Sequence, residues 1–162
     1  MIPCKRFTFL ICFFSTVLFS NLVFGETKLL GAEKKWNAYT TKLNKNKTCF
    51  ITSEPIKTSG KFNQKNRGKP YVFVTNTKGG SNHEVSIKAG FNFKRNKDVI
   101  FDVDGKKTKL FPVDDRAWSE SSKIDRFLVQ SMRRGKILTV TGTSNPGNKI
   151  IDTYSLSAVS YT

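Results

Sequence analysis

The sequence predicts a mainly β protein: a compact antiparallel β-sandwich or barrel of about seven or eight strands, with one α-helix near residues 122–134. Three observations carry this. Short runs of β-branched and aromatic residues recur along the chain, separated by clusters of Gly, Pro, Asn and Ser. Asp104-Gly105 falls between two such runs, and both residues tolerate the positive φ that a tight hairpin needs. A single segment carries apolar residues at helical rather than alternating spacing.

Residues 1–25 read as a secretory signal peptide. Lys5 and Arg6 make a basic start, and the apolar run over 7–24 is broken only by Thr8, Ser15, Thr16, Ser20 and Asn21. Val23-Phe24-Gly25 then supplies a small residue for cleavage. The run approaches the roughly 20 residues that cross a bilayer. Its internal polar residues and terminal glycine favour a cleaved peptide over a retained anchor, so no transmembrane segment is expected after cleavage. Cys12 follows Phe9-Leu10-Ile11, which lacks the small residue of a lipoprotein processing site. Residues 26–162 remain as one β-rich domain, long enough for a real core.

Within that domain the elements fall in order. Residues 36–40 and 48–53 are strand-like, the second stopped by Glu54-Pro55. Residues 57–69 have almost no apolar content and read as a mobile basic loop. Pro70 opens a strand over 71–75, and Gly79-Gly80-Ser81-Asn82 is a turn. Residues 84–93 alternate, with Val85, Ile87, Ala89, Phe91 and Phe93 on one side. Strands over 98–103 and 106–111 flank the Asp104-Gly105 hairpin. Ser122 is the expected cap of the helix, Asp125 lies in its first turn, and Ile124, Phe127, Leu128 and Met132 form its core face. Arg133 and Arg134 suit its C-terminal end, and Gly135 stops it. Strands over 137–143 and 150–159 close the domain, joined by the turn cluster Ser144-Asn145-Pro146-Gly147-Asn148.

Charge narrows the partners. Residues 26–162 carry 26 basic and 12 acidic side chains, a net +14, against +16 for the whole chain. In an exported protein that field favours lipopolysaccharide, phospholipid head groups, an acidic polymer or an acidic envelope protein. Three stretches mix cations with aromatic or polar residues: Lys61, Lys65 and Arg67; Lys94, Arg95 and Lys97 after Phe91 and Phe93; and Arg133, Arg134 and Lys136. These are the candidate anion-binding residues. Single-strand nucleic-acid binders use similar mixtures, but no nucleic-acid module is visible and nucleic acid is not the expected partner.

A catalytic constellation is hard to assemble. His83 is the single histidine, and Cys49 is the one cysteine outside the signal. Cys49 therefore has no internal disulfide partner, although the compartment permits disulfides. It reads as a small buried hydrophobe, with a free thiol or an intermolecular bridge as the sharper alternative. No metal site or cofactor is expected from one histidine and one cysteine. Asp102 and Asp104 lack the regular oxygen spacing of a calcium loop. Asp114-Asp115 is the obvious carboxylate pair, in a turn beside Arg116, and Glu54 is a further acid–base candidate.

Seven blocks then appear in order: Trp36-x-x-Tyr39-Thr40; Cys49-Phe50-Ile51-x-Ser53-Glu54-Pro55; Arg67-Gly68-x-Pro70-Tyr71-Val72-x-Val74-Thr75; Glu84-Val85-Ser86 through Ala89-Gly90-Phe91; Val103-Asp104-Gly105 with Leu110-Phe111; Ala117-Trp118; and Asp152-Thr153-Tyr154-Ser155-Leu156-Ser157. Together they resemble the invasion-associated locus B family of alphaproteobacteria over nearly all of residues 26–162. The resemblance implies an exported, periplasmic or envelope-associated protein of a Gram-negative bacterium, in a family whose founding members are linked to host-cell invasion. It brings no catalytic or binding residues with it. The expected function is a non-enzymatic envelope protein that binds an anionic surface or partner. The alternatives are a periplasmic chaperone or assembly factor, or an enzyme or inhibitor acting on cell-wall polymers.

Overall fold

The computed structural model describes residues 26–43 and 46–159. The expected signal peptide, 1–25, lies outside these residues. Eleven strands and one α-helix follow one another: β1 (Lys28–Glu33), β2 (Trp36–Leu43), β3 (Asn46–Ser53), β4 (Lys57–Gly60), β5 (Tyr71–Thr77), β6 (Glu84–Lys88), β7 (Val99–Val103), β8 (Lys106–Val113), β9 (Arg116–Trp118), α1 (Ser122–Arg134), β10 (Ile137–Thr143) and β11 (Lys149–Ser155). The fold is mainly β with one helix, as the sequence predicts, with eleven strands where about eight are legible.

All the strands pair antiparallel in one open order, β1-β2-β3-β5-β6-β9-β8-β7-β10-β11-β4. β8 is the corner. Its first half pairs with β7, whereas Phe111, Pro112 and Val113 pair with β9. The two halves share one core: Trp36, Val72, Val85 and Ile87 from one, Val99, Phe101, Leu138 and Tyr154 from the other, Leu128 and Met132 from α1. Each fully buried Leu, Ile or Phe contributes roughly 1.5–3 kcal/mol of transfer free energy. β10 and β11 show the alternation that made them readable, burying Leu138, Val140 and Gly142 against Ile150, Asp152 and Tyr154.

Three expectations are corrected here. The strand over 84–93 stops at Lys88, because Gly90 turns the chain at φ +73° and Phe93 then makes an isolated bridge to Ser144. The strand over 150–159 stops at Ser155. Residues 57–69 are not a mobile loop. Residues 57–60 form β4 on the edge of β11, and 64–66 form a 3₁₀ turn whose Lys65 N–H is accepted by Asn63 Oδ1 at 2.9 Å.

The helix spans the residues expected, with altered details. Ser121, not Ser122, is the cap, its hydroxyl accepting the Ile124 N–H at 3.4 Å. Asp125 is buried, and its Oδ1 accepts the Val85 N–H at 2.9 Å and the Ser119 hydroxyl at 2.7 Å. It latches the helix start to β6 rather than serving only as a first-turn charge. Phe127 is 49% exposed, off the core face assigned to it. Gly135 has φ −84°, so left-handed termination is not what requires glycine. A Cβ there would overlap Val103 Cγ1 and lie 3.0 Å from Leu156 Cδ1, so close packing of the helix end against β7 and residue 156 does. Among the described residues no helix is long and apolar enough to cross a membrane.

Candidate functional site

The candidate cations divide three ways. Arg67 is structural. Its guanidinium makes a bidentate pair with Asp152, 3.0 Å to Oδ1 and 2.5 Å to Oδ2, and Nε and a terminal nitrogen both donate to the Ala89 carbonyl at 2.9 and 2.8 Å. Phe62 and Phe91 flank it, each ring centroid 5.2 Å away. Thr58 donates to Asp152 Oδ1 at 2.6 Å. The pair's side chains are 6% and 5% exposed, so Arg67 is withdrawn from any surface patch. The node ties β4, the 3₁₀ turn, the end of β6 and β11 together.

A first surface group gathers at the β10–β11 turn. Lys94 N–H donates to Thr143 O at 2.8 Å, and Asn145 N–H to Asn92 O at 2.8 Å, which fixes residues 92–95 against the turn. The Lys94 ammonium lies beside Gly147, 3.9 Å from where a Cβ would stand. Lys94 and Arg95 line a cleft of about 310 Å³ with Asn92, Asn145, Pro112 and Asp114. Lys61 and Asn148 line the neighbouring depression with Phe62, Asn63 and Gln64. Lys97 precedes β7 near the same end, since Ile100 pairs with Thr141. Lys149 joins this group through the β11 start; it stands alone among polar turn residues, so no cluster of cations marks it in the sequence. Lys61, Lys65, Lys94, Arg95, Lys97 and Lys149 are exposed, and none forms an ion pair among the described residues.

The second surface group is at the other end of β10. Arg133, Arg134 and Lys136 are exposed at the C-terminus of α1, with Lys106 nearby across the β7–β8 turn. Six residue steps of β10 at about 3.4 Å each separate the two groups by roughly 20 Å. They cannot form one compact anion site.

Asp104 braces the second group. Its carboxylate accepts the Lys136 and Ile137 N–H groups at 2.8 and 3.0 Å, and these backbone hydrogen bonds hold its pKa below the ordinary 3.8. A lowered folded-state pKa gives stability that is present above the ordinary value and lost as pH falls through the lowered one. Asp104→Asn is therefore expected to lower the urea midpoint at neutral pH. The deficit should shrink in acid, where the protonated carboxyl is no better an acceptor than the amide. Equal deficits at both pH values would contradict this.

The carboxylate candidates sit in different settings: Asp114 and Asp115 engage their backbone carbonyls in the β8–β9 turn, and the Glu54 carboxylate is paired at the surface. Asp114 opens the β8–β9 turn at φ +52°, and its carbonyl accepts the Phe93 N–H while that of Asp115 accepts the Ala89 N–H, both at 2.8 Å. The turn joins the two strands β8 and β9. Glu54 Oε1 accepts from the Tyr71 hydroxyl at 3.0 Å and the Lys69 ammonium at 3.3 Å. Burial first, then the bond to Glu54, raises the Tyr71 pKa. The bond to Glu54 raises that of Lys69. Asp102 Oδ1 accepts the Gly105 N–H at 2.7 Å, and with Asp104 at φ +48° and Gly105 at +91° the expected hairpin stands. Among the described residues there is no group of three or more His, Cys, Asp or Glu side chains able to hold a metal. Cys49 and His83 line one groove between α1 and the β2–β3 pair. The Cys49 thiol faces Thr40 Oγ1 at 3.7 Å, and the His83 backbone is held by Asn76 Oδ1 at 2.7 Å.

These features define a small antiparallel β protein with two separated cationic ends. The chain belongs to the invasion-associated locus B (IalB) family, whose model matches residues 36–161. No curated protein and no solved structure matches it.

Proposed function

We propose that the protein works after export, in the periplasm or at the cell envelope, as a non-catalytic binder of an anionic surface. The contact is the group at the β10–β11 turn: Lys61, Lys65, Lys94, Arg95, Lys97 and Lys149. The observation that carries the reading is that these exposed cations gather on one end of the sheet with no carboxylate neutralising them by an ion pair among the described residues. Export is supported by the order of basic, apolar and small residues over 1–25. Lipopolysaccharide phosphates and acidic phospholipid head groups have the matching chemistry.

A cation near an anionic bilayer contributes about 1 kcal/mol, screened within a Debye length. Neutralising Lys94, Arg95 and Lys97 to glutamine is therefore expected to weaken binding on the order of a hundredfold at low salt. The measurement is co-sedimentation with anionic phospholipid vesicles, lipopolysaccharide-containing vesicles and neutral vesicles across a salt series. Binding that falls with salt and with the triple substitution supports the reading. Undiminished binding by the triple variant, or none to either anionic vesicle at low salt, overturns it.

A further inference from the structure

We propose that two copies of the protein associate through β1, pairing antiparallel edge to edge about a two-fold axis, so that Lys28 of each copy faces the partner's Glu33. This goes beyond the anionic-surface reading and uses none of its residues.

Among the described residues the sheet ends in two free edges, β1 and β4. β4 is four polar residues, Lys57-Thr58-Ser59-Gly60, entered shortly after Pro55, which is how natural edges are blunted. β1 is different. All six residues of Lys28-Leu29-Leu30-Gly31-Ala32-Glu33 are exposed, Leu29 by 51% and Leu30 by 57%. Among the described residues no strand lies beside its outward backbone groups. Charge and a bulge are themselves protective devices on edges. Here, however, the two charges have opposite signs and sit at opposite ends of the strand. Like charges would repel a second copy, whereas this arrangement attracts an inverted one.

The bulge decides the register. Lys28 pairs with Thr40, Leu29 with Tyr39, Gly31 with Ala38, Ala32 with Asn37 and Glu33 with Trp36, leaving Leu30 as the extra residue. In a regular strand, positions five apart lie on opposite faces. The extra residue puts Lys28 and Glu33 on the same face, the one that carries Trp36 and the core. Directly opposed residues of an antiparallel pair must share a face. The bulge thus permits Lys28 against Glu33, Leu29 against Ala32, and Leu30-Gly31 against its own symmetry copy, two residues facing two. The interface is isologous and closes as a dimer, because it consumes the one unblunted edge among the described residues. Pairing also takes the exposed leucines partly out of water.

The test is sedimentation equilibrium of the protein purified without residues 1–25, which keeps every described strand and the helix. A concentration-dependent dimer is expected. Lys28→Glu and Glu33→Lys, both on an exposed edge, should each weaken it about tenfold or more, since each creates two like-charged pairs. They change net charge in opposite directions, so a parallel loss separates register from bulk repulsion. An equimolar mixture of the two variants, and the double variant K28E/E33K, should both regain the original association. A monomer at every concentration overturns the proposal, and so does a dimer indifferent to K28E and E33K.

Discussion

Asp152→Ala is expected to cost about 3–5 kcal/mol of folding stability, as much as truncating a large core side chain. Removing the carboxylate strands the Arg67 guanidinium, with its side chain only 6% exposed, between the rings of Phe62 and Phe91. The Ala89 carbonyl and Thr58 hydroxyl remain as its polar neighbours, but neither carries charge. Desolvating a cation that has lost its counter-ion costs far more than the pair contributes when intact. Domains of this size have about 5–15 kcal/mol in total, so the variant stands near the threshold of folding. The paired replacement Arg67→Met with Asp152→Leu removes both charges at similar volume. It should recover most of the loss, because buried ion pairs are often matched by apolar packing. Tyr154 shares the buried face of β11, and burial first, then the Asp152 charge, pushes its pKa well above 10, so the phenol stays neutral throughout. Urea unfolding of the two variants beside the unaltered protein measures the effect. A loss below about 1 kcal/mol for Asp152→Ala would mean that the node is wetter or looser than its geometry indicates.

This node also marks the limit of what the sequence can convey. β10, the 104–105 hairpin and the extent of α1 are legible because local periodicity and turn chemistry determine them. Residues 57–69 are organised by something else. Their lysines, asparagines and glycines carry the composition of a loop, and the partner that orders them, Asp152, lies 85 residues from Arg67. β4 exists because β11 offers it an edge, and β9 has only three residues, so neither leaves a pattern. β1 is invisible to alternation because all six residues are exposed and a bulge breaks the period. The candidate cations suffer the same blindness. Their identity is plain from the chain, but whether a guanidinium is buried, as Arg67 is, or lies roughly 20 Å from the rest, as Arg133 and Arg134 do, depends on strand order.

Gly90→Ala is expected to cost about 3 kcal/mol or more, by two effects that a control separates. Gly90 holds φ +73°, where any L side chain adds roughly 1–2 kcal/mol of strain. Its Cβ would also stand 2.6 Å from the Gly68 carbonyl carbon and closer still to the oxygen. That neighbour is backbone, so no rotamer change relieves the overlap. Gly68 cannot simply retreat, since its N–H donates to Gly90 O at 2.9 Å and the preceding residue is the clamped Arg67. The displacement must therefore reach Ala89, whose carbonyl accepts two of the Arg67 bonds. Gly79 provides the control, with φ +75° and nothing within 4 Å of where a Cβ would stand. Gly79→Ala should show the conformational strain alone, about 1–2 kcal/mol. If the two substitutions cost the same by urea unfolding, the close approach to Gly68 is not what requires glycine at 90. Combining Gly90→Ala with Asp152→Ala should cost less than the sum of the two, because both loosen one node, and sites that share partners do not add.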